Sequence, residues 1–164
     1  MLIVITGLPG SGKTTIAEAL AKEVDAVVLS TDKIRKSMFK NPVYNEDDKR
    51  IIYDELFSRG RKYLASGKNV ILDGTFYTKS LRKRAKAIAE STCEKIFFIY
   101  CETPELLLKE RITKRNDKYS DADFNVYLKI KEIFEDFEEE ILLVDTSNSV
   151  DRNIKDIVEK IHSI

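Results

Sequence analysis

The sequence predicts an α/β fold, a five-stranded parallel sheet with helices on both faces. Three observations predict it. Apolar runs of strand length alternate with helix-period segments from one end of the chain to the other, the pattern of repeated strand–helix units. The clearest runs, Asn69-Val70-Ile71-Leu72-Asp73 and Lys95-Ile96-Phe97-Phe98-Ile99-Tyr100, are nearly continuous rather than alternating, as strands buried on both faces are. The length, 164 residues at 43% hydrophobic and 34% charged, suits one domain with a single core.

The first strand is expected over 2–6, where Leu2-Ile3-Val4-Ile5 enters a glycine-rich loop, and the first helix over 13–24. Between them, Gly7-Leu8-Pro9-Gly10-Ser11-Gly12-Lys13-Thr14 fits G-x-x-x-x-G-K-[ST], and a strand before with a helix after is the context the motif requires. Glycines let backbone N–H groups curl round a phosphate, and the helix N-terminus adds partial positive charge. A nucleoside triphosphate site follows. Gly7, Pro9, Gly10, Ser11, Gly12, Lys13, Thr14 and Thr15 are expected to hold the nucleotide. Lys13 would reach the terminal phosphates and the Thr14 hydroxyl would hold Mg²⁺.

The remaining strands are expected near 27–30, 69–73, 95–101 and 140–145, and the remaining helices near 31–38, 46–66, 79–92, 104–116, 121–138 and 150–162. Asn45 can cap the 46–66 helix, its acidic first turn suits the positive end, and Gly67 ends it. Pro104 is placed as a first-turn proline. Ligands of such sheets bind beyond the carboxyl ends of the strands, so the residues that follow strands are the functional candidates. Asp73 closes the third strand, where a carboxylate can share the Mg²⁺ that bridges the phosphates; the plain alternative is a turn aspartate. Asp32 and Arg35 follow the second strand. There a carboxylate can take the proton of an attacking hydroxyl and an arginine one turn on can steer the acceptor; the alternative is a helix cap. Arg111 and Arg115 lie four apart on one helix, ahead of the polar stretch 116–120. That is how a lid over about 111–123 would present guanidinium groups to a transferring phosphate. Arg35, Met38, Phe39, Tyr44 and Tyr53 are candidates for the acceptor wall, although aromatics are more often core.

With these residues in view the chain resembles a known family. Asp-x-x-Arg after the second strand, Asp-x-Thr after the third and Arg-x-x-x-Arg on the lid helix are similar to the P-loop kinase group. That group includes phage-type polynucleotide kinase, zeta toxins, chloramphenicol phosphotransferase and archaeal seryl-tRNA(Sec) kinase. The resemblance spans nearly the whole chain. It implies a three-layer P-loop nucleoside-kinase-like fold, a single kinase domain over 1–164, and ATP with Mg²⁺ as cofactors. It also implies Asp32 as general base, Lys13 on the transferred phosphate, and Arg35, Arg111 and Arg115 on substrate or transition-state charge. No extra C-terminal domain of the kind seryl-tRNA kinase uses on tRNA is expected from these 164 residues, which argues against that activity.

The expected function is therefore transfer of the γ-phosphate of ATP to a hydroxyl, on a small molecule or a polynucleotide 5′ end. The alternative is a regulatory NTPase switch without an acceptor; no Asn-Lys-x-Asp guanine-reading motif is present. Twenty-eight basic residues balance twenty-eight acidic ones, so no global field draws the chain to nucleic acid or an anionic membrane. The charge is uneven, with a basic block at 79–86 and an acidic one at 132–140, both expected to be solvated helix faces. The basic block leaves nucleic acid possible as a partner without the net charge indicating it. Cys93 and Cys101 suggest no disulfide framework, and with no signal peptide or membrane-length run in view a cytoplasmic location is expected.

Overall fold

Strand β1 (Leu2–Thr6) lies at the centre of the sheet because it is apolar on both sides; every one of its residues is buried. In the computed structural model, which describes residues 1–39, 45–114 and 124–163, it pairs in parallel with β3 (Asn69–Asp73) and with β4 (Ile96–Glu102). β2 (Ala26–Ser30) flanks β3 and β5 (Ile141–Asp145) flanks β4, giving the order β2-β3-β1-β4-β5. The predicted five-stranded parallel sheet is the observed one.

Alternation along β1 divides the core in two. Leu2 and Val4 face one cluster, with Leu29, Val70, Leu72 and Phe98, and Ile3 and Ile5 face the other, with Ile71, Ile99 and Val144. The first cluster is closed by α2 (Thr31–Met38), α3 (Glu46–Ala65) and α4 (Lys79–Ser91), through Ile34, Ile52, Leu56 and Ile88. The second is closed by α1 (Lys13–Glu23) and α7 (Val150–Ser163), through Ile16, Leu20, Ile154 and Ile157. Three layers result. Asn45 caps α3, its Oδ1 accepting from the Asp48 amide at 2.7 Å.

Chain order and sheet order together locate the crevice. The helix after β1 crosses one face towards β2, and the helix after β3 crosses the other towards β4. The neighbouring carboxyl ends of β1 and β3 thus form a switch point, where ligands of open α/β sheets bind. The two remaining helices, α5 (Glu105–Thr113) and α6 (Phe124–Ile133), pack on each other and on the glycine-rich loop rather than on the sheet, through Leu108, Ile112, Tyr127 and Leu8.

Three expectations need correction. Pro104 sits at the cap position of α5, one residue before the first turn. The helix expected over 121–138 ends at Ile133. Beyond it the backbone turns its carbonyls outward from a helical path: the Arg82 guanidinium takes the carbonyl oxygens of Glu135 and Asp136, while Phe134 and Phe137 pack on Tyr100. Periodicity could not anticipate carbonyls claimed by a side chain 53 and 54 residues away. The acidic and basic blocks are solvated only in part, and they meet each other. Arg82 is fully buried against a buried Glu139, and Lys79 and Lys83 pair with Glu138. Arg84 pairs with Asp54 at 2.5 Å. Among the described residues no helix is long and apolar enough to cross a membrane.

Candidate active site

All five strands end on the same side, and each is followed by a residue of the site: Gly7 after β1, Thr31 and Asp32 after β2, Asp73 at the end of β3, Thr103 after β4 and Thr146 after β5. The glycine-rich loop is shaped by crowding as well as by backbone freedom. A Cβ added at Gly7, with φ +145°, would lie 2.5 Å from the Cys101 carbonyl oxygen, so the loop starts in direct contact with β4. One added at Gly10, with φ +81°, would lie 2.7 Å from Ile112 Cγ1. The loop therefore carries α5 on its outer side with no room for a larger residue. Helix α1 then begins at Lys13, aiming its first amide groups into the loop.

The Lys13 ammonium donates to the Leu8 carbonyl oxygen at 2.8 Å across the loop. Thr14 Oγ1 donates to Asp73 Oδ2 at 2.8 Å, which ties the loop to the end of β3 across the switch point. Asp73 is buried, and register places Ser30 beside it on β2. Burial pushes the Asp73 carboxyl above its usual range, Lys13 and the Thr14 hydroxyl pull it back, and the Asp32 charge pushes it up again. The carboxylate thus engages the loop instead of capping the Gly74 turn, whose amide goes to the Ile5 carbonyl oxygen.

These residues fit a divalent cation. A buried carboxylate whose charge is only partly met, close to a second carboxylate and bonded to a hydroxyl, is a hard oxygen donor set. Among the described residues no cluster of three or more His, Cys, Asp or Glu could hold a metal. A cation here would complete its shell with phosphate and water, as Mg²⁺ characteristically does.

Asp32 lies inside the first turn of α2, past the Ser30 cap position, which makes no side-chain cap bond. Its Oδ1 accepts from Arg35 Nη1 at 3.0 Å, so carboxylate and guanidinium form the i,i+3 pair the spacing predicts. Tyr53 closes this side from α3. Its ring is core, edge-on to Phe76 at 5.3 Å. Its hydroxyl accepts from the Phe76 amide at 3.0 Å and lies 3.3 Å from Thr75 Oγ1. Burial pushes the phenol up to about 12. Met38 is exposed and Phe39 packs at the margin of the core.

Arg111 reaches the loop from α5. Its Nη1 donates to Thr146 Oγ1 at 2.9 Å and its Nη2 to the Thr146 carbonyl oxygen at 2.8 Å. Thr146 Oγ1 in turn donates to the Ser11 carbonyl oxygen at 2.8 Å. A Cβ added at Gly12 would lie 3.5 Å from the guanidinium. Arg115, Tyr44 and most of the expected 111–123 lid lie outside the described residues. The structure brings together Lys13, Thr14, Asp32, Arg35, Asp73 and Arg111. Reading the sequence missed Thr103 and Thr146, although both directly follow strands, the signal that found Asp32; Thr75 it noted only as the last residue of Asp-x-Thr.

Comparisons with known proteins agree with this geometry. The AAA_33 family model, an AAA domain, matches residues 2–137. L-seryl-tRNA(Sec) kinase of Methanococcus maripaludis is 31% identical over 161 residues, covering 93% of this chain and 62% of that protein. An uncharacterized protein of Mycobacterium tuberculosis is 31% identical over 133 residues, covering 74% of this chain and 27% of its own length. The chain thus spans about a quarter of the mycobacterial relative and under two thirds of the archaeal kinase. Among solved structures, the Mycobacterium tuberculosis APS kinase CysC in complex with AMPPNP and APS superposes with a TM-score of 0.74 at 16% identity. It covers 98% of this chain and 96% of that one, a likeness of fold. A glycine-rich loop tied to a buried carboxylate at the switch point, and a family model over most of the length, lead to one conclusion: the chain belongs to the AAA_33 family.

Proposed function

We propose that this chain is an ATP-dependent kinase domain that transfers the γ-phosphate to a hydroxyl acceptor. The observation that carries this reading is the Thr14–Asp73 bond at 2.8 Å, which joins the phosphate loop to the strand end beside the Asp32–Arg35 pair. Donor-side and acceptor-side groups then meet in one crevice. Thr14 and Asp73 would hold Mg²⁺, which when bound neutralises phosphate charge. Lys13 exchanges its bond to the Leu8 carbonyl for the terminal phosphates. Asp32 takes the proton as the acceptor oxygen forms its bond to phosphorus and the bond to the ADP oxygen breaks. Arg35 holds the Asp32 carboxylate in place, and Arg111 and Arg115 carry charge on the nucleotide side.

A small-molecule acceptor is favoured over a polynucleotide. Four of the five cations of the 79–86 block face Glu138, Glu139 or Asp54, whereas proteins that track a phosphate backbone present a basic footprint. The experiment is incubation with γ-labelled ATP and a panel of sugars, nucleosides, hydroxylated antibiotics, RNA and DNA. Label should appear on one class of alcohol. Turnover of ATP that is indifferent to every acceptor would favour a regulatory switch instead.

A further inference from the structure

Among the described residues Arg82 is the largest side chain with no exposure to solvent, and it lies outside the site just described. Its Nε donates to Glu139 Oε2 at 2.9 Å and its Nη1 to the Phe76 carbonyl oxygen at 2.9 Å. Its Nη2 donates to the carbonyl oxygens of Glu135 at 3.1 Å and Asp136 at 2.7 Å. The plane stacks on the Phe137 ring, 4.6 Å from its centroid. A buried ion pair is a poor device for stability alone, since apolar side chains of the same volume often do as well. Its use lies in what the fork fixes.

What it fixes is the loop that leaves Asp73. Phe76 stands at φ +45°, a left-handed conformation that is costly for an aromatic residue and persists only where its surroundings impose it. The loop is held at each step. The Gly74 amide donates to the Ile5 carbonyl oxygen, the Thr6 hydroxyl to the Thr75 carbonyl oxygen, and the Phe76 amide to the Tyr53 hydroxyl. Arg82 holds the fourth group, the Phe76 carbonyl, and joins it to the 134–139 segment between α6 and β5. The Glu135 amide adds a parallel link to the Tyr77 carbonyl oxygen at 2.8 Å.

We infer that Arg82 is a positioning residue: by clamping Phe76 to the 134–139 segment it holds the Asp73 carboxylate where a nucleotide-bound divalent cation can use it. The inference rests on the metal role proposed for Asp73. Arg82 bonds to Glu139, Phe76, Glu135 and Asp136 and not to the glycine-rich loop or Arg111, so metal-free nucleotide binding does not depend on it.

The test is titration with ADP, with and without Mg²⁺, which yields the factor by which the metal tightens binding, alongside a thermal melt. Arg82→Lys keeps the charge and loses the planar fork. It should leave metal-free ADP affinity unchanged and reduce the Mg²⁺ factor by about tenfold or more, the usual effect of removing groups that orient metal ligands. A purely structural Arg82 would lower the melting temperature and leave the factor intact, and that result in a folded variant overturns the inference. Should Arg82→Lys not fold, Glu139→Gln decides, because it loosens the same fork while keeping its shape. A reduced factor supports the inference and an intact one overturns it. Asp73→Asn separates this from the underlying reading. If it keeps the factor, the metal role falls and the inference with it. If it loses the factor while Arg82→Lys keeps it, the inference alone falls.

Discussion

Asp32 shows how much one carboxylate's setting decides. It is the acid that follows β2, it accepts from Arg35 at 3.0 Å, and its charge is felt at Asp73. Asp32→Asn should therefore keep nucleotide affinity while slowing phosphoryl transfer by roughly 10²–10⁴, the range of a lost general base. Paired titration and label transfer check it. Wild-type transfer would reduce Asp32 to a first-turn acid, and lost nucleotide affinity would move its role to the metal. Two buried acids set a second expectation. Burial pushes the Cys101 thiol up from 9.0 to about 12 and the Tyr53 phenol from 10.0 to about 12. Above the lower values the unfolded chain has released protons that the folded chain still holds, so stability falls as pH rises from about 9 towards 12. The melting temperature should drop across that window, and less steeply in Cys101→Ala. At pH 8 a thiol reagent should label Cys93, which is exposed, and spare Cys101 until denaturant is added.

At the scale of elements, α3 offers the simplest measurement, because Asn45 Oδ1 accepts from the Asp48 amide at 2.7 Å beyond the nucleotide loop. Asn45→Ala should cost about 1 kcal/mol of stability, read by denaturant melts, with nucleotide affinity unchanged. This cap was legible in the sequence, and so were all five strands, because capping chemistry and buried apolar runs are local signals. Legible too were Lys13, Thr14, Asp32, Arg35 and Asp73, which strand ends and motif spacing place on the ligand side. What could not be read was set by contacts distant in sequence. The 134–139 segment leaves the helical path because Arg82 claims two of its carbonyls. Arg82 itself looked like one more member of a surface block until Glu139, fifty-seven residues away, closed over it. Thr146 matters through the Ser11 carbonyl on the far side of the loop, a partnership that no window of sequence contains.

Across the whole molecule the question is which acceptor the charge distribution admits. Twenty-eight basic and twenty-eight acidic side chains cancel, and four of the five cations of the 79–86 stretch face carboxylates. Arg82 is buried on Glu139, Lys79 and Lys83 share Glu138, and Arg84 holds Asp54. Exposed pairs of this kind add little to stability, yet they lower the local potential that a polyanion would need. Affinity for nucleic acid comes mainly from cations that displace condensed counterions, with log K falling by about 0.7 per neutralised phosphate on single strands for each tenfold rise in salt. A surface whose basic groups already face carboxylates has few to offer. A fluorescent single-stranded oligonucleotide should therefore show no anisotropy change at micromolar protein and about 0.15 M salt, the physiological range, with only weak binding emerging at low salt. Glu138→Gln releases Lys79 and Lys83 together and should strengthen that low-salt binding. Tight, steeply salt-dependent binding by the unaltered chain would show that a basic surface elsewhere does the work, and would turn the search for the acceptor towards polynucleotide 5′-hydroxyls.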